Sequence, residues 1–381
     1  MDIRNFKNYR DKKFVVVSIF YFCVMFIFLY LFGINTSGEA FKYILDAKSL
    51  IKGQPLNYGE FSYFYVSYSF LIAIFLKLKI NLYFLAVFQF FLSFFAGFCV
   101  YNLINKKFPE KNYSILFLSL YLFCYPIQKW LFFAYSEGVH TSLVVIGFYY
   151  FIKLLEKITL KDFAVFCLFS FLIVTTRPVG IIFILSAFCT LAIYSYTTKR
   201  KKIFVICAIA SVAALFIILN SPFRYFVNPD SLRRMEIICQ LPQDGNTAPY
   251  SQFNRTGLQG AYHVIKNEIG VTNFLLNGLK KLKSFYGLTR PYFSDRNNLF
   301  LSLYWLFYPF AIVGVFNKKN LLFQNIKIFS LIYITITSIA IFVTCDDWSD
   351  RFIAPVFPFI VFLAALGLSS IVARLKKIKI C

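Results

Sequence analysis

Residues 36–53 read TSGEAFKYILDAKSLIKG and follow the apolar run of residues 14–33, FVVVSIFYFCVMFIFLYLFG, which is long enough to cross a bilayer. In a helix, successive residues are about 100° apart, so Glu39 and Asp46 lie on one face, seven positions from each other. The apolar side chains at 41, 44, 45, 47 and 51 occupy the opposite side. The pattern predicts a helix at a membrane surface with both carboxylates facing water. An ordinary solvated loop helix is the alternative.

The overall composition is that of a polytopic membrane protein. The chain is 59% hydrophobic and 21% aromatic, with a mean hydropathy of +0.66, whereas soluble domains carry about 45–50% apolar residues. The formal net charge of +23 has a simple cause, because Lys and Arg accumulate in the cytoplasmic loops of membrane proteins. Since no nucleic-acid-reading motif accompanies the charge, we expect no nucleic-acid partner.

The metal-binding residue types are scattered. The nine cysteines contain no CxxC pair, and His140 and His263 are the only histidines. We therefore expect no metal and no cofactor, although the acids at 346, 347 and 350 offer oxygen ligands. Cys239 and Cys345 both fall outside the predicted spans, so a disulfide between them is an open possibility.

The distribution of basic residues fixes the predicted topology. The basic N-terminus stays in the cytoplasm, so the first span delivers Glu39 to the outside. The apolar segment 63–76 is too short to cross. If it crossed, the later basic clusters would face outward; if it lies at the interface, they all face the cytoplasm. The second arrangement gives ten spans: 14–33, 80–104, 113–127, 139–155, 163–176, 179–196, 203–220, 299–316, 327–344 and 353–373.

We therefore predict an all-α polytopic membrane protein with a single integral membrane domain, residues 1–381. Its first extracytoplasmic loop, 34–79, carries surface helices. Its large extracytoplasmic loop, 221–298, contains a second surface helix at 273–286, where Phe and Leu alternate with Lys at helical spacing.

The charged residues at span ends are the candidate site residues. In this topology most acids face outward and almost none lies in mid-span, where transporters place ionisable groups. Ser136-Glu137 precedes the span at 139–155 and is also a pattern for capping a helix. Arg177 and Arg351 each lie near a span end, where an arginine can snorkel to the interface or present its planar fork to a phosphate.

These residues together resemble the GT-C superfamily, integral membrane glycosyltransferases that use polyprenyl-phosphate sugars, in the style of bacterial relatives of the protein mannosyltransferases. That family carries an acid soon after its first span, often followed by Tyr, Ala and Gly in a surface helix. The matching positions are Glu39, Tyr43, Ala47 and Gly53, although the family acid is commonly Asp. The segment 63–76 is similar to the surface helix before the family's second span. Later similarities are Ser136-Glu137, Arg177-Pro178 and Asp350-Arg351-Phe352 with Pro355 and Pro358.

The resemblance implies a glycosyltransferase of the hexosyltransferase type, with its site on the outer side of a bacterial inner (plasma) membrane. It would move a sugar from a polyprenyl-phosphate donor to a cell-envelope glycan, a lipid-linked acceptor or a protein. Glu39 would be the base, and Asp46, about 10 Å further along the helix, would orient the acceptor. The substrate-binding residues would be Tyr43, Glu137, Arg177, Arg290, Asp350 and Arg351, with Arg177 and Arg351 on one phosphate.

Two alternatives stay open at this stage. A lipid-linked glycan polymerase or ligase would share the membrane layout but use a pyrophosphate donor. A flippase or permease is a different class of protein, and it would be distinguished by charged residues in the middle of the spans. The sequence leaves the sugar, the acceptor and the inverting or retaining outcome undetermined.

Overall fold

The computed structural model describes residues 12–57, 59–107, 112–198, 262–263, 265–316, 321–343 and 350–378. The predicted span at 203–220, most of the large loop, and Cys239, Cys345, Asp346 and Asp347 lie outside these residues. Of the described residues, 84% are helical and none belongs to a β-strand. The prediction of an all-α membrane protein is thereby confirmed.

The helices before residue 200 are α1 (Lys12–Phe32), α2 (Ala40–Lys52), α3 (Val66–Lys77), α4 (Tyr83–Lys107), α5 (Asn112–Leu122), α6 (Tyr125–Gln128), α7 (Ser136–Glu156), α8 (Leu160–Thr176) and α9 (Gly180–Thr197). A short 3-10 helix, Gly59–Tyr65, precedes α3, and another, Lys129–Phe132, follows α6. The later helices are α10 (Val271–Gly287), α11 (Asp295–Ser302), α12 (Phe307–Val315), α13 (Leu321–Val343) and α14 (Phe357–Ile378).

Six helices in the described part of the chain are long and apolar enough to cross a membrane, or seven if one bent pair counts as a span. They are α1, α4, α7, α9, the helical run Asp295–Val315 and most of α13. Only 17% of the apolar stretch of α1 is buried, as expected for a helix that faces lipid. The count of ten spans stays a prediction.

The predicted span at 113–127 is broken in the structure. The axis bends by 51° between Tyr113–Leu122 and Tyr125–Phe132, and Pro126 lies in the first turn of α6, where its missing N–H costs nothing. The Gln128 side chain connects the break to its neighbours. Its Oε1 accepts hydrogen bonds from Tyr21 of α1 at 3.1 Å and Ser93 of α4 at 3.3 Å. Its Nε2 donates to the carbonyl of Tyr121 at 3.1 Å.

The chain divides into two compact units. The first contains Met1–Phe183, Phe307–Lys319 and Phe357–Cys381, and the second contains Ile184–Leu306 and Asn320–Val356. The prediction of a single membrane domain stays a prediction, and the two units are described separately below.

In the first unit, α7 is the most buried helix and packs between α4 and α8. Helices α12 and α14 cross closely at two glycines. A Cβ atom on Gly314 would meet the carbonyl oxygen of Leu363, and one on Gly367 would meet that of Phe310. The contact therefore brings backbone against backbone, as small residues permit at helix crossings in membranes.

In the second unit, α10 packs along α13. The rings of Phe274 and Phe342 are 5.7 Å apart, and Gly278 lies directly beneath the Phe342 ring. The hydroxyls of Tyr286 and Ser338 are 2.5 Å apart. Helix α10 confirms the helix predicted at 273–286, since the observed bounds differ by no more than two residues.

Candidate functional site

The helix predicted within residues 36–53 is present as α2. Glu39 occupies its N-cap position and is half-buried, and Gly53 ends the helix in the left-handed conformation with φ 65°, which glycine adopts without strain. The prediction that both carboxylates face water is wrong for Asp46, which is fully buried. Phe41, predicted on the apolar side opposite the carboxylates, is 58% exposed, whereas Ala47 of the same predicted side is buried. The cause is that α2 turns its Tyr43, Asp46 and Ala47 face inward and packs against α3.

Asp46 tolerates burial because the chain after α2 folds back onto its carboxylate. The backbone N–H of Asn57 donates to Asp46 Oδ1 at 2.9 Å, and the Asn57 amide group donates to the same oxygen at 3.3 Å. The same amide also donates to Ser49 Oγ at 3.0 Å. Asp46 therefore holds the loop that follows α2. Its predicted role in orienting an acceptor stays a prediction.

The segment that leads into α2 is bound to the segment that leads into α7. The N–H of Asn35 donates to the carbonyl of Phe132 at 2.7 Å, and the N–H of Ala134 donates to the carbonyl of Asn35 at 2.9 Å. The hydroxyl of Tyr135 then donates to the carbonyl of Ser37 at 3.1 Å. Glu39 lies two residues after Ser37, and Glu137 lies two residues after Tyr135. These hydrogen bonds therefore hold together the two segments from which α2 and α7 begin.

A second connection lies one helical turn further along α2. The hydroxyls of Tyr43 and Ser136 are 3.2 Å apart, and both residues are fully buried. The Tyr43 ring also packs edge-on against Tyr68 of α3, with 5.1 Å between ring centroids. Ser136 begins α7, and the N-cap residue of that helix is Tyr135, which makes no side-chain capping bond. The Ser136 hydroxyl therefore serves the contact with α2, and not a cap.

Glu137 and Arg177 form a buried ion pair. Arg177 Nη1 lies 2.9 Å from Glu137 Oε1, and the side chains are 5% and 0% exposed. Arg177 ends α8, and its own N–H donates to the carbonyl of Ile173. The chain then turns sharply into α9. Gly180 comes so close to the Ile173 carbonyl group in this turn that a Cβ atom at position 180 would collide with it. The pair joins the first turn of α7 to the last turn of α8, so both charges lie at helix ends.

Two buried polar side chains beside this pair were missed by the sequence analysis. Tyr68 is fully buried, and its hydroxyl has no hydrogen-bond partner. Burial, and then the negative charge of Glu137, raise the pKa of Tyr68 well above its usual value, so the phenol is a neutral donor. His140 is also fully buried, within electrostatic range of Arg177, and neither of its ring nitrogens makes a hydrogen bond.

The sequence carried a signal for one of the two. His140 follows Glu137 by three residues, the spacing at which side chains share a helix face. Tyr68 had no such signal, because it lies inside an apolar run with several other aromatic residues.

The second unit holds its own buried ion pair. Arg290 Nη2 lies 2.9 Å from Asp350 Oδ1, with exposures of 5% and 0%. Asn298 fixes the Arg290 backbone by accepting from its N–H at 2.9 Å and donating to its carbonyl at 2.8 Å. Asp350 has a φ of 64°, which is uncommon for a residue other than glycine. The adjoining Arg351 is buried, with 7% exposure.

The structure thus sorts the predicted site residues into two groups. Glu39, Tyr43, Glu137 and Arg177 lie in the first unit, as does Asp46, which is buried in α2. Arg290, Asp350 and Arg351 lie in the second unit. The prediction that Arg177 and Arg351 bind one phosphate stays a prediction. Among the residues that the structure describes, no group of three or more His, Cys, Asp or Glu side chains could hold a metal ion.

Comparison with known proteins adds no family: no protein-family model matches the chain, and no curated protein matches it.

Proposed function

We propose that this chain is an integral membrane glycosyltransferase that moves a sugar from a polyprenyl-phosphate donor to an acceptor outside the cytoplasm. The observation that carries the proposal is the buried Glu137–Arg177 pair, held against the start of α2 by the Tyr43–Ser136 contact. It supports a site at the N-terminal ends of α2 and α7, where the half-buried acid Glu39 begins α2 and Glu137, paired with Arg177, lies in the first turn of α7.

The chemistry needs a base and a cation. An acceptor hydroxyl attacks the anomeric carbon of the donor sugar, and the bond from that carbon to the phosphate oxygen breaks. Glu39 takes the proton of the attacking hydroxyl. Arg177 stabilises the negative charge that develops on the departing polyprenyl phosphate. An acid in a half-buried position with its helix start fixed by neighbouring segments suits the first task.

The ion pair with Glu137 is compatible with phosphate binding by Arg177. A guanidinium group carries five N–H donors in a rigid plane, more than one carboxylate can use. Glu137 positions this plane, and the phosphate takes donors on another edge. Tyr68, held as a neutral phenol, supplies a further donor in the same buried cluster. Arg290, Asp350 and Arg351 are the proposed substrate-binding residues of the second unit.

The placement of charge favours this class over a flippase or permease. The candidate spans carry their charged residues near their ends: Lys12 and Lys13 in α1, Lys106 in α4, Glu137, Lys153 and Glu156 in α7, and Asp295 and Arg296 at the start of the run Asp295–Val315. The span Gly180–Thr197 has none, and Lys327 lies in the first turns of α13. A transport path places such groups near the midplane.

The test is a transfer assay with purified protein in detergent, panels of polyprenyl-phosphate and polyprenyl-pyrophosphate sugars, and envelope-glycan, lipid-linked and protein acceptors. The readout is release of polyprenyl phosphate from the first donor class or of polyprenyl pyrophosphate from the second. We expect release with at least one donor, and its loss in Glu39→Gln. Asp295→Asn, an exposed acid at the start of α11, is the matched control and should keep full activity. Release only from pyrophosphate-linked donors would establish the polymerase or ligase alternative. Absence of release with both donor classes would overturn the proposal.

The outward orientation and the bacterial inner membrane belong to the same proposal. They are supported by the basic clusters, which in the ten-span topology all face the cytoplasm.

A further inference from the structure

A groove runs between α10 and α13 in the second unit. Its volume is about 320 Å³, within the size range of small-ligand pockets, and its walls are formed mainly by apolar side chains such as Leu282, Ile334 and Phe342. The paired hydroxyls of Tyr286 and Ser338 and the exposed Thr335 are the polar groups of its lining. An acyl chain fits such a surface, because it needs apolar walls and no specific polar partners.

The groove is built into the helix packing. Gly278 allows the Phe342 ring to approach α10 directly, and Phe274 contacts the same ring. These contacts hold one end of the two helices together, and the Tyr286–Ser338 hydroxyl pair holds them together further along. The groove is therefore part of the packing between the two helices, and it extends past the hydroxyl pair to Ile334 and Thr335.

The rim of the groove is positively charged. Lys280 and Lys283 of α10 are exposed. Lys283 precedes the groove residue Tyr286 by three positions and follows Lys280 by three, so its side chain neighbours both on the helix surface. Neither α10 nor α13 contains an acidic residue. Burial raises the pKa of Tyr286, and the hydrogen bond with Ser338 only partly offsets it, so the phenol adds no negative charge.

The exposed surface next to the rim is apolar. Leu275 and Leu279 of α10 are 48% and 57% exposed, and Ile339 of α13 is 58% exposed. An apolar strip with lysines along its edge is the pattern of a helix that lies at a lipid interface.

We propose that this groove is a binding site for an anionic glycerophospholipid. One acyl chain lies in the groove against Leu282 and Ile334, and the phosphodiester group contacts Lys283 and Lys280. This function is separate from the proposed donor site, because a glycerophospholipid carries no sugar to transfer. Its effect is to fasten α10 to α13 and to the surrounding bilayer.

The test measures lipid retention by the full-length protein. Protein is reconstituted into vesicles of phosphatidylcholine containing about one third phosphatidylglycerol, extracted with detergent, and analysed for lipid bound per protein. We expect phosphatidylglycerol to be enriched over phosphatidylcholine. Each of Lys280→Gln and Lys283→Gln should weaken phosphatidylglycerol binding about fivefold, which corresponds to about 1 kcal/mol per lysine near an anionic surface. Thr335→Trp should abolish the enrichment by filling the groove from its exposed edge.

Lys157→Gln combined with Lys161→Gln is the charge-matched control, since both lysines are exposed and lie in the first unit. It should leave the enrichment unchanged, and thermal unfolding of every variant reports on folding. Equal retention of the two phospholipids would overturn the proposal, as would unchanged enrichment in the Lys280 and Lys283 variants. If added polyprenyl phosphate displaces phosphatidylglycerol completely and is retained in its place, the groove belongs to the sugar donor and the proposal is also wrong.

Discussion

The phenol oxygen of Tyr43 lies 3.2 Å from the hydroxyl oxygen of Ser136, and neither side chain is exposed. This contact joins the second turn of the surface helix α2 to the first residue of the buried helix α7. Since Glu39 precedes Tyr43 by one turn and Glu137 follows Ser136 directly, the contact joins the two segments that carry these acids. The relationship makes α2 a fixed part of the site.

The first prediction concerns the proposed base. Glu39→Gln keeps the size of the side chain and removes its ability to take a proton, so turnover should fall by at least about 100-fold. Donor binding and the unfolding temperature should stay near those of the wild type. Steady-state turnover with donor titration separates these quantities. Near-normal turnover would transfer the role of base to Asp46 or Glu137.

The second prediction concerns the buried acid of α2. Asp46→Ala leaves the N–H and the side-chain amide of Asn57 without their acceptor, so the protein should lose about 1–3 kcal/mol of stability. Thermal unfolding in detergent measures the loss. Lys48→Ala, an exposed position on the same helix, should change the unfolding temperature little. An equal effect of the two substitutions would contradict the structural role assigned to Asp46.

The third prediction separates phosphate binding from simple anchoring at Arg177. Lys also snorkels, so Arg177→Lys should be tolerated if the residue only anchors its helix. A forked phosphate contact is lost in the same variant, because Lys presents a point charge. We expect donor use to weaken by about 1.5–3 kcal/mol, the value of a charge-assisted hydrogen bond. Donor titration is the measurement.

Two further variants control that experiment. Arg296→Lys, at an exposed position in α11, should retain wild-type donor dependence. Glu137→Gln removes one charge of a buried pair, which typically costs about 3–5 kcal/mol of stability, so it should lower the unfolding temperature more than Arg177→Lys does. Wild-type donor dependence in Arg177→Lys would remove Arg177 from the phosphate site.

The fourth prediction concerns the crossing of α12 and α14. Gly367→Ala places a Cβ against the Phe310 carbonyl oxygen, and such overpacking costs about 1–3 kcal/mol. The same substitution at Gly287 meets only an Arg290 side-chain atom at 3.9 Å, an ordinary contact distance. Thermal unfolding should therefore fall clearly for Gly367→Ala and hardly at all for Gly287→Ala. Similar unfolding temperatures would show that the helices separate easily at this crossing.

The fifth prediction tests orientation. In a cysteine-free background, Ser37→Cys should react with an impermeant thiol reagent in intact cells, and Lys157→Cys should react only after permeabilisation. Both positions are exposed, and α7 connects the two sides in the predicted topology. The same topology places Asp244 outside and Arg200 and Lys319 inside, three positions beyond the described residues. Labelling of Lys157→Cys in intact cells would overturn the ten-span arrangement.

The helices whose bounds depend on nearby residues alone were predicted correctly from the sequence. The bounds of α1, α2 and α10 follow from an apolar run, from Gly53, and from the spacing of Phe, Leu and Lys. The inward face of α2 was predicted incorrectly, because the rule that places carboxylates in water ignores a partner that arrives later in the chain. Asn57 is that partner.

In the candidate site, too, the residues could be predicted from the sequence but their distant partners could not. Glu137, Arg177 and Asp350 were identified from their positions near span ends, and Arg290 was named as a further binding residue in the large loop. Their pairing was not predicted. Each pair joins residues far apart in sequence, and only the packing of helices decides which charges meet. The bend between α5 and α6 was also missed, although Pro126 marked it, because the predicted span 113–127 is largely apolar on both sides of the bend.

The bend has a consequence for how the protein is made. In hydrocarbon, backbone groups that leave a helix must find partners within the protein, and at the bend the carbonyl of Tyr121 finds the Gln128 side chain, itself bound to Tyr21 and Ser93. The ribosome synthesises α1 and α4 before it reaches residue 121. When the bend is synthesised, α1 and α4, which carry Tyr21 and Ser93, have therefore already been made. The hydrogen bonds of Gln128 can form as soon as the bend enters the membrane.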